Sequence, residues 1–279
     1  MTCEIDPVNR THLVATNRFT VSEGEFDCLL EYRSHCKTII AEGDSWFSYP
    51  RRAVFFGQPS NVVDCLSSMS YFNLLQLSSP GDEAVKMLSG SSFREIKRLL
   101  EKYYEQLDFF LFSGGGNDIV GEGDMDRFLH DQNTTPGNPL GWINQEEFNK
   151  TLEKIIQAYK RLIDHVMDCN SRCILITHTY CYPLPSNIGG AFLGGLFKTK
   201  SWIKPYMEEK GIKYKKDQYA IIKWMIDAFA DELIKLRSDR VRVLDIREMM
   251  PNRTDWLNEI HLTPAAYSKV AGLFYKEIV

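Results

Sequence analysis

Residues 38–47 read Thr-Ile-Ile-Ala-Glu-Gly-Asp-Ser-Trp-Phe, an apolar run that stops at a Gly-Asp-Ser turn. A short apolar run that is bounded by turn residues is typical of a buried strand. Four similar runs follow along the chain, at 73–78, 108–113, 173–179 and 241–246. The pattern therefore predicts five strands, the first of them over 38–42.

Long segments with a helical period separate the predicted strands. Between Phe148 and Met167 the apolar residues recur every three or four positions, which places them on one face of a helix. Similar stripes occur near 91–105 and 217–237, and Thr263 with Pro264 can cap and begin a final helix. Strands that alternate with helices form a parallel sheet that is covered on both faces. We therefore predict a three-layer α/β/α fold with a five-stranded parallel sheet.

The length and composition fit one large folded domain. The chain has 279 residues, of which 44% are hydrophobic, so it can bury a sizeable core. Residues 1–36 mix charged and apolar side chains without a clean period. We predict that the domain spans 37–279 and that 1–36 are an N-terminal extension whose structure the sequence does not indicate.

Charge and cysteine usage exclude several classes of partner. The formal net charge is −4, so no overall positive field attracts nucleic acid.

The longest uncharged stretch, 173–197, is interrupted by proline and glycine residues, which argues against a transmembrane segment. No secretory signal is visible. The seven cysteines form no Cys-x-x-Cys pair, so we expect reduced thiols and a cytoplasmic location.

Chemically useful residues follow each predicted strand. Open parallel sheets bind ligands outside the carboxyl ends of their strands. There the sequence places Ser45, Gly81, Asn117 and His178, and His261 lies in the segment after the fifth strand. A hydrolase needs a nucleophile, a base, and N–H donors for a developing oxyanion. This set predicts Ser45 as the nucleophile and His261 as the base.

The chain resembles the SGNH, or GDSL-type, hydrolase superfamily of esterases, lipases and related acyl hydrolases. Four blocks carry the resemblance over 37–279: Gly43-Asp44-Ser45, Gly81, Gly115-Gly116-Asn117-Asp118 and His261. The resemblance implies a flavodoxin-like fold. It also implies an oxyanion hole that is formed by the Ser45 and Gly81 backbone N–H groups and the Asn117 amide. No metal or organic cofactor is implied.

The residue that orients His261 departs from the family pattern. An Asp usually stands three residues before this histidine, whereas here Asn258 does. Its amide oxygen can accept a hydrogen bond from Nδ1, which fixes the tautomer but does not stabilise the imidazolium. Asp255, Glu259 and a backbone carbonyl remain open as alternatives.

Aromatic residues near the nucleophile are candidates for the substrate pocket. Trp46, with its neighbours Phe47 and Tyr49, either shapes an acyl pocket or packs in the core. His178 is predicted to line the pocket, the alternative being a structural histidine. The glycine-rich stretch 188–197 is open to two interpretations, a mobile lid or a loop that is packed on the domain.

The predicted function is that of a serine hydrolase of esterase or lipase type. It would cleave an ester or acyl bond of a small-molecule substrate through an acyl-Ser45 intermediate. The alternative, from a different class, is a catalytically silent binding module with the same fold, in which Asn258 no longer supports a useful rate. The sequence does not identify the acyl and alcohol groups or the oligomeric state.

Overall fold

A computed structural model describes residues 3–49, 60–121, 123–169, 172–192, 197–198 and 200–279. Its strands are β1 (Thr38–Gly43), β2 (Asn73–Gln76), β3 (Phe109–Ser113), β4 (Ile174–His178), β5 (Ala191–Phe192), β6 (Phe197–Lys198) and β7 (Val241–Leu244). Its helices are α1 (Pro7–Ala15), α2 (Glu23–Tyr32), α3 (Ser45–Ser48), α4 (Val62–Met69), α5 (Ala84–Met87), α6 (Gly90–Lys102), α7 (Gly116–Val120), α8 (Asp124–Phe128), α9 (Gln145–Cys169), α10 (Lys204–Glu209), α11 (Lys215–Ile234) and α12 (Pro264–Ile278).

Five of the strands form one parallel sheet, in the order β2-β1-β3-β4-β7. In its register Ile40 of β1 lies beside Leu75 on one side and Phe110 on the other. This order is that of the flavodoxin-like folds. The predicted fold class is therefore confirmed, and the predicted strands differ from the observed ones by at most two residues at either end.

Two groups of helices cover the sheet. In one group α4 packs against α12, and Phe47 of α3 contacts Phe274 of α12. In the other group α9 packs against α5, α6 and α11, and Tyr159 of α9 meets Phe112 of β3 edge to face. Most of the strand residues are fully buried between them, as in a three-layer α/β/α architecture.

The N-terminal segment forms helices α1 and α2, which pack against each other. A disulfide joins Cys3 to Cys28, so the prediction of reduced thiols is wrong for these two residues. The helix pair brings the two cysteines together although they are 25 positions apart, and no local spacing signals this. Phe26 of α2 is fully buried in the main core, and Thr20 pairs with Leu75 at the edge of β2.

Within the described ranges, no helix is both long enough and apolar enough to cross a membrane. The glycine-rich stretch 188–197 lies partly outside the described residues, so its two interpretations remain predictions.

The strand order reverses at β1, since β2 lies on one side of it and β3 on the other. Ligands of open α/β sheets bind in the crevice at this switch point, outside the carboxyl ends of the strands. β1 leads directly to Ser45, and β3 leads to Asn117. The fold thus places two of the predicted site residues at the crevice.

Candidate active site

Ser45 is the first residue of the short helix α3, which begins where β1 ends. The carboxylate of Asp44 caps this helix and accepts a hydrogen bond from the Trp46 N–H at 2.9 Å. A Cβ atom on Gly43 would lie 2.7 Å from the carbonyl oxygen of Ser113. Glycine is therefore required where β1 meets β3, and the close approach fixes the backbone that carries Ser45.

Ser45 is paired with His261. Its Oγ atom lies 2.7 Å from Nε2 of that ring, across 216 positions of sequence. Nδ1 of the ring lies 3.1 Å from Oδ1 of Asn258. Ser45 is 6% exposed and His261 is 4% exposed. The structure thus brings the three residues into one hydrogen-bonded line at the carboxyl edge of the sheet.

The backbone around Asn258 determines which amide atom faces the ring. Oδ1 accepts hydrogen bonds from the N–H groups of Ile260 at 3.0 Å and His261 at 2.8 Å. An NH₂ group in that position would face two donors, so the oxygen must lie there. Nδ1 of His261 therefore carries the hydrogen, and Nε2 is the atom that can accept the proton of Ser45. In a serine protease, replacing the triad Asp by Asn costs about 10⁴ in rate by selecting the wrong tautomer, and that penalty does not arise in this geometry.

Neither of the acidic alternatives orients His261. The Asp255 carboxylate faces Lys269 Nζ at 3.4 Å. The Glu259 carboxylate accepts four backbone N–H groups, those of Ser186, Trp202, Ile203 and Lys204. Burial raises the pKa of Glu259, while these four donors lower it. Both predictions are corrected, because Glu259 ties its loop to the start of α10 and Asp255 forms an ion pair outside the site.

A cavity of about 150 Å³ opens beside the Ser45–His261 pair. Gly81 and Asn117, the predicted oxyanion donors, both line it. Gly81 has a φ of +89°, a left-handed backbone conformation that favours glycine. The Asn117 amide donates one hydrogen bond to the Asp82 carbonyl at 2.9 Å, so its second N–H hydrogen can face a ligand.

Asp118 holds the chain that follows Gly81, at the start of α5. Its carboxylate accepts the N–H groups of Ala84 at 2.6 Å and Val85 at 3.1 Å, at the start of α5. Burial raises the pKa of Asp118 to about 6. The adjacent side chains of Asn117 and Asp118 therefore hold the segment that carries Gly81. The sequence did not indicate this role for Asp118.

A buried line of hydrogen bonds lies behind Ser45. Nδ1 of His178 is 2.6 Å from the Thr179 carbonyl oxygen, and Nε2 is 2.9 Å from Oγ of Ser113. The same Oγ is 2.8 Å from Oδ1 of Asp44. The Tyr180 hydroxyl donates to the other carboxylate oxygen of Asp44. Asp44, the residue before Ser45, is thus held by side chains from β3 and from the segment after β4.

The number of hydrogens in this line is fixed by its chemistry. The Ser113 hydroxyl has one hydrogen, whereas a neutral His178 Nε2 and an ionised Asp44 are both acceptors. The line therefore has one hydrogen fewer than it has hydrogen-bond positions. Burial raises the pKa of Asp44 to about 6 and lowers the pKa of His178 to about 4, so Asp44 takes up a proton before His178 does as the pH falls.

The two predicted pocket residues have different positions. Trp46 lines a second, narrow cavity of about 30 Å³ at Ser45. His178 is fully buried, both of its ring nitrogens are hydrogen-bonded, and its ring stacks on Trp46 at 5.4 Å between centroids. The pocket prediction for His178 is therefore wrong, because the residue ends β4 with its side chain directed into the core.

Two aromatic rings flank His261. The Tyr49 ring lies 4.1 Å from that of His261 between centroids, and the Trp202 ring lies 5.6 Å away, edge to face. Both line the larger cavity. No local pattern identifies Trp202, because its place depends on the bond from its backbone to Glu259.

One group among the described residues has ligand atoms close enough to hold a metal ion. Glu101, His165 and Cys169 present these atoms within 4.8 Å of one another. Glu101 lies on α6 and the other two lie on α9, outside both cavities at Ser45. The expectation that the reaction needs no cofactor remains a prediction.

The comparison with protein-family models finds no match, and the comparison with curated protein sequences finds none either. Among solved structures, the chain is similar to the lipase Lip_vut3 from a goat rumen metagenome, with 14% identity, a TM-score of 0.56, and 86% of this chain and 96% of that chain covered. It is also similar to an extracellular lipase from Streptomyces rimosus, with 13% identity, a TM-score of 0.53, and 88% and 100% covered. At 13–14% identity these likenesses show the fold alone, and they agree with the α/β/α architecture predicted from the sequence.

Proposed function

We propose that this chain is a serine hydrolase of the SGNH type that cleaves a carboxylic ester of a small molecule. The observation that carries the proposal is the line from Asn258 Oδ1 through His261 to Ser45 Oγ, with distances of 3.1 Å and 2.7 Å. That line ends at a cavity that Gly81 and Asn117 also line. A nucleophile, an oriented base and candidate oxyanion donors therefore meet in one place.

The proposed reaction has two halves. In the first, Nε2 of His261 takes the hydroxyl proton of Ser45 while Oγ attacks the ester carbonyl carbon. The Ser45 and Gly81 N–H groups and the Asn117 amide stabilise the oxyanion of the tetrahedral intermediate. His261 then protonates the leaving alcohol, and the C–O bond of the ester breaks to give acyl-Ser45. In the second half His261 activates a water molecule, which releases the acid and restores the hydroxyl.

The silent binding module is not favoured. That alternative rests on Asn258 as a defect, since an amide cannot stabilise an imidazolium as a carboxylate does. The bonds from the backbone to Oδ1 argue against such a defect, because they select the tautomer in which Nε2 is the base.

Hydrolysis of short-chain p-nitrophenyl esters by wild type and Ser45→Ala tests the proposal. We expect Ser45→Ala to lower kcat by roughly 10⁴-fold or more, because the covalent route is lost. Ser91→Ala, a substitution of an exposed serine on α6, is the control and should retain wild-type activity. A serine-directed phosphonate should label Ser45. Equal activity of wild type and Ser45→Ala, or a wild-type protein that neither turns over esters nor reacts with the phosphonate, contradicts the proposal.

Two coarser predictions from the sequence also remain proposals. One is the division into an extension, 1–36, and a catalytic domain, 37–279. The other is the cytoplasmic location, and here the Cys3–Cys28 disulfide favours the opposite, because disulfides persist mainly in oxidising compartments. The fraction of Cys3 and Cys28 that is blocked to alkylation in protein from its native compartment would decide the location.

A further inference from the structure

Two cavities of different size meet at Ser45. The larger, of about 150 Å³, also contains His261, Gly81 and Trp202. The smaller, of about 30 Å³, is lined by Trp46, Val120, Tyr180, Cys181, Pro183 and Ile226. Ser45, Asn117 and Ile260 belong to both linings. A substrate whose carbonyl carbon is bonded to Ser45 Oγ can therefore extend in two directions.

The position of the base decides which direction the alcohol takes. After the attack, His261 has to return its proton to the oxygen of the leaving alcohol, so that oxygen must lie near Nε2. His261 lines only the larger cavity, among the two at Ser45. The alcohol part of the ester therefore extends into the larger cavity.

The oxyanion donors restrict the remaining direction. A tetrahedral carbon on Ser45 Oγ carries the oxyanion, the leaving oxygen and the acyl chain. Gly81 lines only the larger cavity, and Asn117 lies where the two cavities adjoin. With the oxyanion directed at these donors and the leaving oxygen at His261, the smaller cavity is the space that the described residues leave for the acyl chain.

The smaller cavity suits a short and uncharged chain. Most of its lining is aromatic or aliphatic, and its one acidic residue, Asp44, directs its carboxylate at Ser113, Tyr180 and the Trp46 N–H. A water molecule needs roughly 10–15 Å³ of comparable space, so about 30 Å³ accepts roughly two groups of that size.

We infer that this chain is selective for short acyl groups, of about two to four carbons, and tolerant of larger alcohols. The inference rests on the proposed function and adds a substrate class to it. The residue assigned as the limit of the acyl chain is Ile226 of α11, which lines the smaller cavity together with Trp46 and is 2% exposed.

Two substrate series measure the selectivity of the wild-type enzyme. In the first, the p-nitrophenyl alcohol is constant and the acyl chain grows from acetyl to octanoyl. We expect kcat/KM to fall by roughly tenfold or more between butyryl and octanoyl, because an extra methylene in a filled pocket is strongly disfavoured. In the second, acetate is constant and phenyl is compared with 2-naphthyl. We expect a change within about threefold, since the larger cavity has room.

A variant then locates the limit. Ile226→Ala removes three carbons from the wall of the smaller cavity, and we expect the octanoyl-to-butyryl ratio of kcat/KM to rise by roughly tenfold. Ile222→Ala, on the same helix and equally buried but absent from both linings, is the matched control. It should leave the ratio unchanged. Circular dichroism and thermal unfolding of both variants ensure that only folded protein is compared.

The outcomes separate the two proposals. Ester hydrolysis that depends on Ser45 but shows no acyl limit, or an Ile226→Ala variant whose gain is in the alcohol series, overturns this assignment and leaves the proposed function standing. The same holds if Ile222→Ala changes the acyl profile as much as Ile226→Ala does. A wild-type enzyme without ester hydrolysis or phosphonate labelling overturns both.

Discussion

The two sides of the Ser45–His261 pair are held in place by different means. Ser45 follows a strand, and the acid before it, Asp44, is buried, capped by three donors, and has its pKa raised to about 6. His261 lies in a loop, where an amide, Asn258, stands at the position of the usual acid. The acid next to that amide, Glu259, accepts the backbone N–H groups of four residues among those that the structure describes.

The difference shows what each kind of scaffold requires. A buried strand is fixed by its neighbours, so it can carry an acid whose charged form is poorly solvated. A loop has to satisfy its own backbone, because no ladder of strand hydrogen bonds does so. Asn258 Oδ1 accepts two backbone N–H groups and the ring N–H together, so one atom holds the loop and orients the His261 ring.

Removing that atom should have the largest effect on the loop side. We expect Asn258→Ala to lower kcat/KM by roughly 10²-fold or more, because the ring loses its acceptor and two buried N–H groups lose theirs. Asn252→Ala, an exposed asparagine at the start of the same loop region, is the control. Steady-state kinetics on p-nitrophenyl acetate measures both. Equal kinetics for Asn258→Ala and wild type would show that the loop orients His261 without this side chain.

Restoring the acid should sharpen the comparison. We expect Asn258→Asp to raise kcat/KM by about tenfold. This gain is well below the factor of about 10⁴ that separates Asp from Asn in a serine protease, because there the Asn also selects the wrong tautomer of the histidine. The carboxylate stabilises the imidazolium, so the acidic limb of the pH profile should move to higher pH. Within the described residues Asn258 Nδ2 has no hydrogen-bond partner, and the new oxygen would replace it. We therefore expect the free energy of unfolding to fall by about 1–3 kcal/mol in urea titrations.

An unchanged or lower kcat/KM for folded Asn258→Asp would contradict this account. It would mean that desolvation of the new carboxylate outweighs its attraction to the imidazolium.

The sequence predicted the parts that depend on local pattern. Apolar runs predicted the strands, the residues at two strand ends indicated Ser45 and Asn117, and the segment after the last strand indicated His261, because parallel strands bring their carboxyl ends to one edge. It could not give the direction of a side chain at the last residue of a strand, so His178 was placed in the pocket and lies in the core.

Contacts between segments that are far apart in the chain could not be predicted from the sequence either. The bond from the Trp202 N–H to Glu259 joins residues that are 57 positions apart, and it places Trp202 beside the His261 ring. The Cys3–Cys28 disulfide likewise depends on how α1 packs on α2. Neither contact follows from period, spacing or composition.

The strand side can be tested through its buried acids. Burial raises the pKa of Glu42 to about 7, from 4.5, so the folded state holds an extra proton between these values. The free energy of unfolding of the wild-type protein therefore falls as the pH rises from about 4.5 to about 7. Glu42→Gln keeps an acceptor for the Gly43 N–H and does not titrate. We expect the variant to be more stable than wild type by about 2–3 kcal/mol at pH 8, with the difference shrinking towards pH 4.

Urea unfolding at several pH values measures this difference, with Glu248→Gln, an exposed glutamate, as the control. A gap between Glu42→Gln and wild type that does not change with pH would show that Glu42 titrates normally in the folded protein.

The smallest effect is expected for Asp255, the acidic alternative to Asn258. Its carboxylate meets Lys269 at 3.4 Å, and the side chains are 15% exposed for Asp255 and 58% exposed for Lys269. Because the lysine is solvent-exposed, we expect this ion pair to contribute about 1 kcal/mol or less. We expect Asp255→Ala to leave kcat/KM within about twofold of wild type. A loss comparable to that of Asn258→Ala would reverse the assignment of the two residues.

The pairing of Thr20 with β2 affects whether the sheet can pair edge to edge with the sheet of a second copy of the chain. β2 is an edge strand, and such strands offer unpaired N–H and C=O groups on which another chain can build. The Thr20 N–H donates to Leu74, and its carbonyl accepts from Gln76, so these groups are already taken. The segment that joins α1 to α2, two helices linked by a disulfide, therefore blocks part of an edge where the sheet could otherwise pair with the sheet of another molecule.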